Sequence, residues 1–259
     1  MELLNFLRRI KQQTVRSLLA SYKKPTGQVG KLNMNSRDEW VKDVLTSIEP
    51  GKSILDAGAG ELQYKKYCTH LSYVSQDFNQ YDGKGDEVGL HPDGWDQSQV
   101  EIDIVSDITS IPRSDASFDV VMCTEVFEHV PHPIDALREL VRLLKPEGTL
   151  IITAPFCAMT HFSPYFFHTG FSRHFYEHWL DALGCEIQEL SFNGNYFEFM
   201  AQELRGLSYM GERYSGTCPS LIEKDAIEVT LGYLAKMSEK DIGSSDVLSY
   251  GLHVIAKKC

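Results

Sequence analysis

The sequence contains no apolar run approaching the length of a membrane span, so no bilayer-crossing helix is expected. Its N-terminus lacks an uninterrupted apolar core ahead of a cleavage site, which argues against a secretory signal. No CxxC pair occurs among Cys68, Cys123, Cys157, Cys185, Cys218 and Cys259. That scatter reads as reduced thiols of a cytoplasmic protein, while the even count leaves disulfides open. A cationic excess is also missing. The net charge of −11 and pI near 5.3 argue against non-specific nucleic-acid binding, and no nucleic-acid partner is expected. There is neither an internal repeat nor a low-complexity tract. What remains is an ordinary globular composition, 42% hydrophobic and 24% charged, over 259 residues, enough for one large domain or two small ones.

Charge is unevenly placed. Residues 1–24 hold Arg8, Arg9, Lys11, Arg16, Lys23 and Lys24 against Glu2 alone, so this segment is +5 and the remainder −16. Leu3, Leu4, Leu7, Ile10, Val15, Leu18 and Leu19 recur near helical spacing, which predicts an amphipathic helix over the first 20 residues. Such a helix packs on the body of the protein or covers its pocket. A basic one also suits an anionic membrane surface, here the inner membrane face. KKPTGQVG reads as a linker, so residues 1–30 form an N-terminal extension and 31–259 the main domain.

From Ser36 onward, strands alternate with helices. Helices are predicted for Asp38–Ile48, from about Leu62, and for Pro133–Leu144; strands for Ser53–Ala57, Tyr73–Asp77, Ile102–Ser106, Phe118–Thr124 and Thr149–Thr153. Ser172–Leu183, Tyr196–Leu207 and Ser220–Lys240 read as helices, and Cys185–Phe192 and Val247–Lys257 as final strands. The pattern predicts an α/β fold: a doubly wound, mostly parallel seven-stranded sheet ending in an antiparallel pair. Segments 156–184 and 193–246 are expected to be covers or insertions outside the sheet.

ILDAGAGE joins a strand to Gly58 and Gly60, which permit a tight turn and a close backbone approach to a ligand. A dinucleotide site prefers GxGxxG, and here Gln63 replaces the third glycine, which weakens a nicotinamide oxidoreductase reading. The alternative ligand is S-adenosylmethionine (SAM), whose ribose hydroxyls, adenine amine and sulfonium suit acidic partners. Asp77 ends the second predicted strand, placed for the ribose. Asp107 follows the third beside Ile108, placed for the adenine amine. Either aspartate alone could be a turn residue; in succession they favour the ligand.

ILDAGAGE (54–61), VSQDF (74–78), VSDITSIPRSDASFDVVMCTEVFEHVPHP (105–133) and LLKPEGTLIITAP (143–155) together resemble the class I SAM-dependent methyltransferases, particularly those with an EVxEHV segment. The resemblance implies a Rossmann-like methyltransferase fold with SAM as cofactor. Carried over by position, the SAM residues are Asp56, Ala57, Gly58, Gly60, Asp77, Phe78, Asp107, Ile108, Thr124 and Glu125. Leu62 stands where many members have a third glycine, and the stretch 79–101 is longer than a minimal member needs. Similarity to methyltransferases associated with bacterial surface polysaccharides points to a sugar or lipid-linked glycan acceptor.

Methyl transfer from a sulfonium is an in-line displacement, and an alcohol acceptor benefits from a base. His129 is the leading candidate, with Glu128 beside it and His161 at the end of the fifth strand; the bland alternative for His129 is a backbone hydrogen bond that shapes the turn. Glu125, Glu128 and His129 have i, i+3, i+4 spacing, and in some related methyltransferases this group helps to bind a divalent metal. A further histidine or carboxylate would be needed, and the motif also occurs without metal, so none is expected here. In the aromatic and histidine-rich stretch 156–179, Tyr165, His168 and Arg173 are candidate acceptor contacts. The expected activity is O-methyl transfer to a small molecule or saccharide. N-methyl transfer and a non-catalytic SAM-binding module are the alternatives.

Overall fold

A computed structural model describes residues 2–86, 88–91, 94–97 and 100–259, with side chains from Asn5 onward. Leu3 and Leu4, and Pro92 and Asp93 of the HPDGW segment, lie outside the described side chains or residues.

The strands bury both faces, as a parallel sheet flanked by helices requires. In β1, Ser53–Ala57, Ile54 and Leu55 point to opposite sides and join two different apolar clusters. β2 is Ser72–Asp77, β3 Ile104–Val105, β4 Phe118–Thr124 and β5 Leu144–Pro155. β6, Cys185–Asn193, and β7, Gly251–Lys258, complete a seven-stranded sheet of order β3-β2-β1-β4-β5-β7-β6. The first five strands pair in parallel, and β7 runs antiparallel between β5 and β6. This is the doubly wound, Rossmann-like arrangement that the sequence predicts. Its order reverses between β1 and β4, the place where open α/β sheets bind ligands.

One face is covered by α2, Asn33–Ser47, whose Val41 and Leu45 pack on Ile54, Val120, Met122 and Ile151. On the other face α3, Pro133–Leu143, buries Ala136, Leu137, Leu140 and Leu143, with Tyr176 and Leu180 of α4, Arg173–Ala182, in the same cluster.

Two predicted elements differ. The helix expected from Leu62 is a series of turns with one 3-10 turn, Lys65–Tyr67. Leu62 itself has a φ of 60°, a left-handed conformation that no α-helix can continue. The strand expected over Ile102–Ser106 shrinks to two residues. The Asp103 carboxylate accepts from the N–H and hydroxyl of Ser75 at 2.8 and 2.7 Å, taking the position of a ladder partner.

The chain divides into two compact units, residues 35–193 with 250–259, and residues 1–34 with 194–249. The sheet and its flanking helices form the first. In the second, α1, Glu2–Tyr22, accompanies α5, Tyr196–Ser215, and α6, Leu221–Ser238. Arg16 and Lys23 of α1 both reach Asp225 at 2.8 Å. The segment read as a linker is anchored here: Val29 is buried with Ala201 and Leu231, and the Gly30 N–H donates to Glu198 at 2.7 Å. Among the described residues, no helix is long and apolar enough to cross a membrane.

At the base of the sheet Asp119 accepts from the Ser53 N–H (2.9 Å), the Ser53 hydroxyl (2.6 Å) and Lys145 (2.9 Å). These bonds outweigh the cost of its partial burial and hold its pKa well below the usual carboxylate range. The folded-state value lies below the unfolded one, so the stabilisation is present above about pH 4 and is lost as pH falls. Asp119→Ala should cost about 2 kcal/mol in urea unfolding at pH 7. The difference from wild type should narrow on titration toward pH 2.

Candidate active site

The chain leaves β1 through Gly58 (φ 75°) and Gly60 (φ 52°). A Cβ on Gly58 would overlap Val126 Cγ2 and lie 2.9 Å from its Cγ1, and one on Gly60 would come within 3.0 Å of the Trp95 indole. The expectation that the turn's N–H groups face a ligand does not hold. Gly58 and Ala59 donate to the Gln76 carbonyl at 2.8 and 2.9 Å, and Gly60 donates to Asp77 Oδ2 at 3.0 Å. The end of β2, adjacent in the sheet, supplies these acceptors. What the turn offers is a carboxylate, Asp77, held against its second glycine.

Asp77 is nearly buried, and its Oδ1 accepts from the Asn79 N–H at 2.7 Å. Each of its oxygens keeps a lone pair for a ribose hydroxyl. Phe78 follows, edge-on to Tyr165 with ring centroids 4.9 Å apart. Ala57 belongs to the core. Asp56 is buried under the turn, where the Tyr73 hydroxyl donates to its Oδ2 at 2.6 Å while Oδ1 has no partner among the described residues. Burial pushes Asp56 up to about 7 against the opposing effect of that hydrogen bond. Asp107 is exposed and caps its own turn, accepting from the Thr109 N–H and hydroxyl at 2.8 and 2.7 Å; Ile108 beside it is buried.

After β4, Thr124 is buried and Glu125 adopts a φ of 53°, a strained conformation of the kind concentrated at functional sites. Its N–H donates to the Thr153 carbonyl at 2.9 Å, its Oε1 accepts from the Thr153 hydroxyl at 2.9 Å, and its Oε2 lies 3.4 Å from Arg37. Burial works against the Arg37 charge, but Glu125, Tyr64 and Asp38 overcome it and hold the guanidinium firmly protonated. Nothing in the sequence marks Arg37, which arrives from a helix preceding every motif.

The one-turn 3-10 helix Phe127–His129 then brings Glu128 and His129 to one point, where His161 meets them. Glu128 is fully buried, and neither carboxylate oxygen has a hydrogen-bond partner among the described residues. His129 Nδ1 lies 2.6 Å from the Tyr165 carbonyl, and His161 Nδ1 lies 2.8 Å from the Met159 carbonyl. A carbonyl only accepts, so each Nδ1 carries the proton and each Nε2 presents a lone pair. Those Nε2 atoms are 3.7 and 4.0 Å from Glu128 Oε1. Burial, with Glu125 adding to it, drives the Glu128 carboxyl well above its ordinary range. Burial and the neighbouring His161 push His129 down to about 4, and burial lowers His161 as well.

The backbone hydrogen bond of His129 and its approach to Glu128 therefore coexist. His161, distant in sequence, joins them.

The cover segment docks directly on this turn, with Phe167 and His168 N–H groups donating to the Glu128 carbonyl at 2.8 and 3.2 Å. The His168 Nε2 is buried without a partner among the described residues. Tyr165 contributes its carbonyl to His129, while its ring packs between Phe78 and Tyr81. Arg173 stands on the first turn of α4, 3.9 Å from Glu177. The long loop reaches the same place. Leu90 exchanges backbone bonds with Thr160 and Phe162 at 2.9 and 3.1 Å, and Trp95 meets Phe162 edge-on with centroids 5.0 Å apart. Trp95 had one signal in the sequence, a tryptophan in a polar, glycine-rich stretch.

These residues fit an adenosyl sulfonium. Asp77 has lone pairs to spare beside the turn, the Trp95 indole N–H is buried without a partner among the described residues, and two carboxylates, Glu125 and Glu128, follow the end of β4. Fold and site together resemble those of the class I SAM-dependent methyltransferases. Residues 55–152 match the family described as a methyltransferase domain, and the chain carries that domain with SAM as its cofactor.

The chain is 28% identical to a demethylmenaquinone methyltransferase of Renibacterium salmoninarum over 179 residues, covering 67% of this chain and 68% of that protein. It is 39% identical over 61 residues to a ubiquinone biosynthesis O-methyltransferase of Xanthomonas campestris pv. campestris, covering 22% of this chain and 25% of the relative. With the corresponding enzyme of Actinobacillus pleuropneumoniae it shares 31% over 110 residues, 40% and 45% of the two chains. The chain thus spans less than half the length of these O-methyltransferases.

In fold it resembles the [4+2]-cyclase SpnF, with a TM-score of 0.52 and 19% identity over 88% of this chain and 83% of that one. It also resembles a SAM-dependent methyltransferase from Archaeoglobus fulgidus, with a TM-score of 0.50 and 15% identity over 85% and 94%. A cyclase among these likenesses shows that the fold alone does not fix the reaction.

Gly58→Ala combines a positive φ with the Val126 overlap, and should cost about 2 kcal/mol or more in thermal unfolding and weaken SAM binding measured by calorimetry. Adding Val126→Ala should restore part of the stability, leaving the φ strain.

Proposed function

We propose that the protein transfers the methyl group of SAM to a hydroxyl of a small acceptor with a planar or apolar body. The carrying observation is that Glu128, His129 and His161 converge one turn beyond Val126, the residue that packs on Gly58. The cofactor turn and the polar cluster therefore share one sheet edge. Bound SAM supplies an electrophilic methyl carbon. The chain's own groups do the rest: Asp77 and Trp95 hold the adenosyl part, Glu125 and Arg37 flank the methionine end, and Phe162, Phe166 and Tyr165 exclude water. The cluster takes up the acceptor's proton as the oxygen gains the methyl group and the sulfur keeps the electron pair of the broken bond.

The quinone-related names of the relatives favour a phenolic acceptor; a saccharide or lipid-linked glycan hydroxyl is the second reading. Incubation with labelled SAM and panels of phenolic and saccharide hydroxyl acceptors should label the phenols. His129→Asn should lower kcat by about 100-fold with SAM affinity unchanged, and an unaltered kcat would remove the cluster from the chemistry.

The N-terminal helix supports a membrane-surface partner. Phe6, Leu7, Ile10, Leu18 and Tyr22 are between 47% and 63% exposed along one side of α1, with Arg8, Arg9 and Lys11 among them. An amphipathic basic helix of this kind suits an anionic interface, where a lipid-borne acceptor would be met. Co-sedimentation with phosphatidylserine or phosphatidylglycerol vesicles should exceed that with phosphatidylcholine. It should fall with salt and be lost in Ile10→Glu/Leu18→Glu.

A further inference from the structure

We infer that Phe162 is a positioning residue, through which a ligand at the glycine turn sets the placement of His129 and His161. The inference rests on the reading of those histidines as the place where the acceptor's proton goes, and it adds the link by which the cofactor reaches them. Phe162 touches both halves of the site. Its ring centroid lies 4.7 and 5.0 Å from those of Tyr81 and Trp95, on the long loop, and 5.2 and 5.5 Å from those of His129 and His161. Trp95 in turn stands against the cofactor turn, its Cη2 3.0 Å from the place that a Cβ on Gly60 would take. An adenosyl group at the turn meets the indole, the indole meets Phe162, and Phe162 meets both imidazoles.

The backbone stiffens this link. The Phe162 N–H donates to the Leu90 carbonyl at 3.1 Å, and the Leu90 N–H donates to the Thr160 carbonyl at 2.9 Å. Leu90 thereby pairs in parallel with His161, so the loop that carries Trp95 and the segment that carries Phe162 hold each other. The Phe162 carbonyl accepts from the Tyr165 N–H at 3.0 Å, which closes a turn. The last carbonyl of that turn, on Tyr165, is the one that accepts from His129 Nδ1 at 2.6 Å. Phe162 therefore acts on His129 twice, through its ring and through the turn that sets the imidazole's tautomer.

Phe162 also has a φ of 53°, in the left-handed region that a bulky side chain seldom enters. Glycine or asparagine would take this backbone more easily and would supply no ring. A residue stays in such a conformation only where its surroundings over-determine it, and sites of function are where this gathers. Here four ring contacts and two backbone bonds do so. Edge-on and tilted ring contacts are favourable over a narrow range of offsets, and close-packed groups pass a displacement on instead of absorbing it. A movement of the indole on cofactor binding is thus delivered to the two Nε2 atoms. The consequence is a coupling between the cofactor turn and the proton-accepting cluster.

The test follows the histidine ring Cε1–H resonances of the full-length protein by NMR, with His129 and His161 assigned from His129→Asn and His161→Asn. Saturating S-adenosylhomocysteine should move both resonances and leave that of the exposed His174 in place. Phe162→Leu keeps the Cβ, and with it the backbone cost, but removes the ring. Calorimetry should still show this variant binding S-adenosylhomocysteine, while the two shifts should be lost; Phe162→Tyr should restore them. With labelled SAM and phenols, Phe162→Leu should lower kcat about 10-fold at unchanged KM for SAM, and Phe162→Tyr should recover it. Melting curves check folding, and Phe162→Met, closer in volume, serves where Phe162→Leu fails. Undiminished shifts in the folded, saturated variant would route the effect through Gly58 and Val126 and overturn the inference. Resonances that stay still in wild type with S-adenosylhomocysteine bound would overturn it too. Shifts that depend on Phe162 without methyl transfer to any hydroxyl leave the coupling standing and remove the proposed reaction.

Discussion

Gly58 and Val126 meet because the sheet order turns back on itself between β1 and β4, bringing two loops from separate parts of the sequence to one edge. No side chain can be placed at Gly58 without displacing Val126. The closeness of this contact fixes the distance from the cofactor turn to the 3-10 turn carrying Glu128 and His129. A parallel sheet buried on both faces allows little slippage, since a one-residue shift in register would turn every side chain to the opposite face. The apolar registers of β1, β2 and β4 thereby hold the chemistry in place.

The polar groups at this edge are held under opposed demands. Asp77 lends one oxygen to the glycine turn and the other to the Asn79 N–H, yet keeps lone pairs free. Glu125 accepts a strained backbone to reach Thr153 and Arg37. Glu128 is enclosed without a bond, the least favourable state for a carboxylate and one that proteins retain where function repays it. The aromatic rings of Trp95, Phe162, Tyr81 and Tyr165 pack on one another and, through Phe162, on His129.

Much of this was legible from residue order. β1, β2, β4 and the antiparallel end of the sheet follow from short apolar runs broken by glycine and proline, and the placement of Asp77 and Glu128 follows from strand ends. Three things were not legible. Leu62 conceals a left-handed turn, because a β-turn signal normally comes from glycine or asparagine. Gly58 reads as a ligand-facing residue, whereas its N–H serves Gln76 and its missing side chain serves Val126; only the neighbouring strands reveal which. His161 lies 32 residues beyond His129, and its approach to Glu128 depends on the cover segment folding back through the Phe167 and His168 bonds. Arg37 and Trp95 likewise reach the edge from segments outside every motif. The union of residues 1–34 with 194–249 joins segments separated by the whole of 35–193, and local periodicity carries no trace of it.

The account depends above all on an adenosyl ligand lying beside the glycine turn with its ribose on Asp77. Calorimetric binding of S-adenosylhomocysteine to wild type and Asp77→Asn measures this directly. One equivalent bound by wild type, with affinity reduced at least tenfold in a folded Asp77→Asn, is the predicted result. No binding by wild type, or equal affinity in the two proteins, would contradict it.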